Sequence, residues 1–159
     1  MALNGFFRYF ARQFEVADRL LSGTVDSAPD AVMPRQFLAR VLLAQGRATE
    51  VIPLLDTRNE SSPGSYSSLA RAYALSGNVD AARAEIARIE ALGAEGFGVG
   101  FDLALIHLAL GEHAAALTAL ERAVEDRSQM IGYLNVEPAL DPLRHEPRFR
   151  AVTQRIGFG

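Results

Sequence analysis

Residues 66–92 read YSSLARAYALSGNVDAARAEIARIEAL and hold two apolar patterns of helical period with a turn between them. Tyr66, Leu69, Ala70 and Tyr73 recur at steps of three and four, Gly77 and Asn78 interrupt, and Val79, Ala82, Ile86 and Ile89 resume the period. The spacing predicts a helical hairpin. Small Ala70 and Ala82 fall where two antiparallel helices would approach most closely, and Gly77 can take the positive φ that ends the first helix.

The same template recurs on both sides. Residues 34–56, PRQFLARVLLAQGRATEVIPLLD, repeat it with Leu38, Ala39, Leu42 and a turn at Gly46, and residues 101–126, FDLALIHLALGEHAAALTALERAVED, repeat it with a turn at Gly111. Gly111 follows Gly77 by 34 residues and Gly77 follows Gly46 by 31, so the middle connector is three residues short of the period. Pro53 sits inside the second half of the earlier copy, where a missing N–H and a ring clash cost about 3 kcal/mol. A short or kinked helix from about residue 49 to 56 is therefore expected.

The order aromatic, two residues, Leu-Ala, two residues, Tyr, then Ala and an apolar residue four further on resembles the tetratricopeptide repeat, a helix-turn-helix unit of about 34 residues. The resemblance implies an all-α fold: a right-handed superhelical stack of hairpins closed by a C-terminal capping helix. The chain divides as one domain, with a degenerate N-terminal helix or repeat over 1–30, three hairpins over 31–127 and a cap over 128–159. Arrays of this kind bind along the concave surface lined by the first helix of each pair. Carried over to this sequence, the groove positions are Gln36 and Arg40, Ser67 and Arg71, and Phe101 and Leu105 with Leu108. The lysine and asparagine set of chaperone-tail carboxylate clamps is absent. The implied function is a protein- or peptide-binding scaffold; the alternative is a sensory or oligomerisation domain of a bacterial transcriptional or signalling regulator.

Upstream, Leu3, Phe7, Phe10, Phe14, Ala17 and Leu21 follow one another at steps of 4, 3, 4, 3 and 4. One long helix explains this stripe, and so does a worn repeat in which Arg12 stands where the turn glycine belongs. Phe6, Phe10 and Phe14 belong to the densest aromatic cluster of the chain. They form a core stripe if the next repeat covers them and a homodimer contact if it does not.

The connectors are polar. Residues 22–29, SGTVDSAP, and 57–65, TRNESSPGS, read as loops, with Ser62-Pro63 suited to start a helix. Residues 93–100 carry Gly93, Gly96, Gly98 and Gly100 and read as a flexible linker into a frayed helix start, since no phosphate-loop pattern fits them. The final stretch, residues 133–158, differs in kind: Asp141-Pro142 and Glu146-Pro147 each place an acid before a proline, signals for helix starts, and Phe149, Val152 and Ile156 form one face before Gly157. It resembles tails that follow the last repeat in many bacterial regulatory proteins, with Glu146 in place of the usual aspartate.

Composition bounds the function. With 159 residues the chain can bury roughly 70% of its unfolded surface. At 49% hydrophobic and 22% charged it is globular, and a net charge of −3 argues against direct nucleic-acid binding. There is no cysteine, and all 16 basic residues are arginine, which removes thiolate chemistry, a Schiff-base lysine and a phosphate-loop lysine. No apolar run is long enough to insert in a membrane, and a soluble cytoplasmic protein is expected. No nucleophile–base–acid set assembles, and His107, His113 and His145 lack metal-ligand spacing, so no enzyme activity, cofactor or metal is expected. Two arginines on adjacent first helices suit carboxylates. The expected ligand is therefore an acidic segment with a hydrophobic anchor, and alanine at Arg40 and Arg71 should weaken binding while sparing stability.

Overall fold

The computed structural model of the chain describes residues 2–55 and 62–157, and every described element is helical. Residue 56, the last expected of the preceding helix, residues 57–61 of the polar connector and Phe158 lie outside the described residues. Four helix pairs succeed one another: α1 (Ala2–Phe10) with α2 (Phe14–Ser27), α3 (Val32–Ala44) with α4 (Ala48–Leu55), α5 (Pro63–Leu75) with α6 (Val79–Ala94), and α7 (Gly100–Ala109) with α8 (His113–Glu125). Two 3-10 turns, Ile131–Tyr133 and Pro138–Leu143, lead to α9 (Pro147–Arg155).

One turn geometry closes the pairs. Gly46, Gly77 and Gly111 have φ of 75°, 82° and 78°. The residue after each returns a hydrogen bond to a carbonyl five back: Arg47 to Leu42, Asn78 to Tyr73 and Glu112 to His107, at 2.9, 2.9 and 2.8 Å. Arg12 does the same without being glycine: its φ is 59°, and Gln13 N–H donates to Arg8 O at 2.9 Å. The N-terminal stripe is thus two helices around a turn, not one long helix. A side chain in this left-handed region costs roughly 1–2 kcal/mol, and the Arg12 guanidinium is held there by two bonds to Asp141 at 2.6 and 2.7 Å.

Local signals place the other helix ends. Ser62 accepts the Ser65 N–H at 3.3 Å with Pro63 in the first turn, and Asn78 accepts the Ala81 N–H at 3.2 Å. Pro53 lies within α4, at its sixth residue, as an interruption of the helix ladder. Glu146-Pro147 starts α9, but Asp141-Pro142 falls inside a 3-10 turn that begins at Glu137-Pro138. Glu137 is the capping side chain there, accepting the Ala139 N–H at 3.2 Å, while Asp141 pairs with Arg12 and Arg144.

The glycine-rich stretch before α7 is packed rather than loose. A Cβ on Gly100 would stand 2.4 Å from Ala123 N, and one on Gly98 would stand 2.6 Å from Asp126 O, so both glycines let backbone meet backbone. Asp126 accepts the Val99 and Gly100 N–H groups at 3.0 and 2.9 Å, and Ser128 Oγ accepts that of Phe101 at 3.1 Å. The start of α7 is capped from the far end of α8. The expectation of a flexible linker fails because this capping comes from residues distant in sequence.

First helices stand side by side in the order α1, α3, α5, α7, and each second helix packs against the first helix of the next pair. Buried Ala70 and Ala82 let α5 and α6 close on each other. One core cluster gathers Tyr9, Leu21, Leu38, Val41, Val51 and Leu55; the other gathers Phe101, Leu105, Ile106 and Leu120 with Leu134, Leu140, Leu143 and Phe149. The C-terminal residues thus belong to the second core. They also reach the first helix, where Tyr133 stacks on Phe10 at 4.8 Å and meets Phe6 edge-on at 5.5 Å.

Candidate binding surface

On the side of the array formed by the first helices a cleft of about 890 Å³ opens between α1, α3, the start of α5, the glycine turn at 96–98 and residues 126–133. Its apolar walls are Leu3, Phe6, Met33, Phe37, Phe97, Met130 and Tyr133, and Leu3, Met33 and Phe97 remain 58, 54 and 53% exposed. Gln36, Arg40, Asp102, Asp126 and Arg127 are among its polar lining residues. Gln36 donates to the hydroxyls of Ser62 and Ser65 at 2.7 and 2.8 Å, tying α3 to the entry of α5.

Behind the cleft lies a buried polar cluster. Arg40 Nη1 donates to Glu137 Oε2 at 3.2 Å, and the Tyr9 hydroxyl donates to Glu137 Oε1. Glu137 has no exposed surface, Arg40 is 6% exposed and Tyr9 1%. Burial, and then the neighbouring Glu137 carboxylate, pushes the Tyr9 phenol well above its usual range, so it stays a donor. Arg71 and Asp102 are buried too, and among the described residues Arg71 Nη1 and Asp102 Oδ1 have no hydrogen-bond partner. Burial raises the Asp102 carboxyl pKa, while Arg40, Ser67 and Arg71 pull it down.

The residues singled out from sequence separate into three groups. Gln36 and Arg40 line the cleft. Ser67 and Arg71 are buried on α5, Ser67 donating weakly to Asp102 O at 3.4 Å, so neither presents a surface to a ligand here. Phe101 and Leu105 are core side chains packed with Leu134, Leu140 and Leu143. They do not extend the groove as a hydrophobic anchor, because the C-terminal residues occupy that side of α7. The expectation that Arg40 can be lost without loss of stability fails for a related reason: its guanidinium neutralises a carboxylate removed from water.

The N-terminal rings are likewise covered within the chain. Phe6 stacks on Phe37 with centroids 4.1 Å apart, Phe10 stacks on Tyr133, and Phe14 lies 5.9 Å from Tyr9. The condition for a homodimer contact through Phe6, Phe10 and Phe14 is therefore not met; in this stripe it is Leu3 and Phe7 that stay exposed. His107 is half-buried, its Nδ1 2.7 Å from Glu112, which Arg83 also engages. That pairing holds Glu112 well below the usual carboxylate range, with Arg83 the larger cause.

Sequence reasoning missed Glu137, Tyr9 and Asp102. Glu137 directly precedes a proline, like Glu146, and that was the available signal. What it could not carry was Glu137's partners, which lie 97 and 128 residues away.

Among the described residues no helix is long and apolar enough to cross a membrane. No curated protein and no solved structure matches the chain. A family model described as tetratricopeptide repeat matches residues 63–88 and 99–122, the α5–α6 and α7–α8 pairs. Such repeats generally mediate protein–protein interaction and are typically scaffolds rather than enzymes. With the turn glycines and the small residues at the helix crossings in place, the chain is an all-α helical array whose α5–α6 and α7–α8 pairs match tetratricopeptide repeats.

Proposed function

We propose that the protein is a protein- or peptide-binding scaffold and that its partner enters the cleft between α1, α3, the 96–98 turn and residues 126–133. The observation that carries this reading is the exposure of Leu3, Met33 and Phe97 together on the rim of an 890 Å³ cleft on the first-helix side. Large apolar side chains kept in water around one concavity mark an interaction site. Gln36 supplies a polar contact on α3, and exposed Arg127 at the rim offers a guanidinium to an acidic residue beside the partner's apolar anchor. The methionines suit an anchor of variable shape.

The test is photo-crosslinking from positions 33 and 97, followed by the double substitution Met33→Glu with Phe97→Glu. Crosslinks should map to one partner segment, and the double variant should lose at least tenfold in affinity with its helical content unchanged. Undiminished binding of the crosslinked partner by the double variant would place the interface elsewhere.

A further inference from the structure

The first-helix side is already engaged, next to the cleft, by part of the chain itself. Residues 134–143 read LNVEPALDPL, with Leu134, Glu137 and Leu140 at steps of three. Leu134, Glu137, Leu140 and Leu143 have no exposed surface at all. The segment holds Pro138 and Pro142 and forms only 3-10 turns, whose backbone bonds, such as Leu134 to Ile131, Glu137 to Tyr133 and Leu140 to Glu137, are all short in range. Side chains of the array hold it in place. Glu137 takes hydrogen bonds from Tyr9 of α1 and Arg40 of α3, Asp141 takes the two-pronged bond from Arg12, and the leucines enter the core beside Phe101 and Leu105 of α7.

This is how a groove holds a short peptide: a central carboxylate met by an arginine and a phenol, with leucines on either side in apolar pockets. It is also the chemistry expected of a ligand for Arg40 and its neighbours, an acidic residue with a hydrophobic anchor, supplied here from within. Two further features bear on exchange. Met130 and Tyr133, which lead into the segment, form one wall of the cleft, so a partner entering the cleft touches the chain where the segment begins. Arg127, just upstream, has a φ of 53°, strained for a residue other than glycine, where the chain leaves α8 with Ser128 N–H bonded to Ala123 O at 3.0 Å.

We propose that the inner face of α1, α3 and α7 is a receptor for the pattern Leu-x-x-Glu-x-x-Leu, that residues 131–144 are its intramolecular occupant, and that a partner protein carrying the same pattern exchanges with them. The proposal rests on the reading of the array as a binding scaffold. It extends that reading from the open cleft to the face beside it, with a definite partner chemistry.

The test uses the full chain with Glu137→Gln and Leu140→Ala, which weaken the occupant and leave Tyr9, Arg12 and Arg40 intact. The probe is a fluorescein-labelled synthetic peptide of residues 130–145, read by anisotropy. The substituted chain should bind the probe at least tenfold more tightly than wild type does, and a peptide carrying Glu137→Gln should bind it at least tenfold more weakly. A folded variant that ignores the peptide, or binding indifferent to the peptide's glutamate, overturns the proposal. If the double variant does not fold, Asp141→Asn at the exposed Arg12 pair replaces it, read by amide exchange as well. Faster exchange confined to 131–144, with probe binding, supports the proposal. Exchange of that segment only in step with α5–α8, or no probe binding, overturns it. Crosslinks from positions 33 and 97 are unaffected by these outcomes, so the segment proposal can fail while the cleft reading stands.

Discussion

Glu137→Ala is the substitution on which the account of the buried cluster depends. The carboxylate is fully buried and accepts from Tyr9, from Arg40 and from the Ala139 N–H. Removing it leaves a guanidinium 6% exposed without its counter-charge, and a phenol 1% exposed without an acceptor. Breaking one partner of a buried ion pair costs about 3–5 kcal/mol. For a domain whose total stability is of order 5–15 kcal/mol, that is a large share. At about 2–4 °C per kcal/mol for a chain of this size, the melting temperature should fall by roughly 6–20 °C. Glu137→Gln keeps an oxygen for Tyr9 and Ala139 but faces Arg40 with no charge, so its loss should be intermediate. Urea unfolding followed by circular dichroism measures these differences. The pair itself is isolated by a double-mutant cycle with Arg40→Met and Glu137→Met. The double variant should be less destabilised than the two singles together. A loss below about 1 kcal/mol for Glu137→Ala, or strict additivity in the cycle, would refute the claim that this pair is a coupled buried unit.

Gly100→Ala should cost about 1–3 kcal/mol by overpacking, because the new Cβ would stand 2.4 Å from Ala123 N and 2.7 Å from Ala123 Cα, and backbone cannot step aside as a side-chain tip can; an unchanged urea midpoint would contradict the close approach of α7 and α8. Arg127→Gly should raise stability by about 0.5–1 kcal/mol, since glycine takes a φ of 53° without strain and the side chain is exposed; a lowered melting temperature would show that the side chain makes a stabilising contact. Stability against pH should show two opposed trends. Asp141, Glu112 and Glu121 are held low, chiefly by Arg12, Arg83 and Arg148, so their contribution is present above the ordinary carboxylate range and is lost as pH falls through their folded values. Asp102 is raised by burial, so the folded state takes up its proton first, and stability gains as pH drops from that raised value toward the ordinary one. Asp102→Asn should remove the gain and leave the acid loss in place, as read by urea midpoints from pH 7 down to pH 3.

What the sequence made legible was whatever depends on neighbours within about five residues. The helical period, Gly46, Gly77 and Gly111, and the Ser62-Pro63 start are local, and the helices stand where those signals put them. Arg12 marks the edge of that reach. A left-handed φ at an arginine is unfavourable locally; the partner that holds it, Asp141, is 129 residues away. The same distance separates success from failure at the site. Residue type and helix face led to the expectation of a ligand's carboxylate at Arg40, whereas the carboxylate beside it is Glu137 of the same chain. Once Glu137 is in place, the consequences run together. Arg40 becomes a stabilising residue, Phe101 and Leu105 are covered by the leucines that travel with Glu137, and Tyr133 reaches Phe6 and Phe10 and covers them. The groove, anchor and dimer expectations were thus one expectation: that the first-helix side is empty. A single return of the chain across that face changes all three, and it leaves as open surface the cleft where Leu3, Met33 and Phe97 meet water.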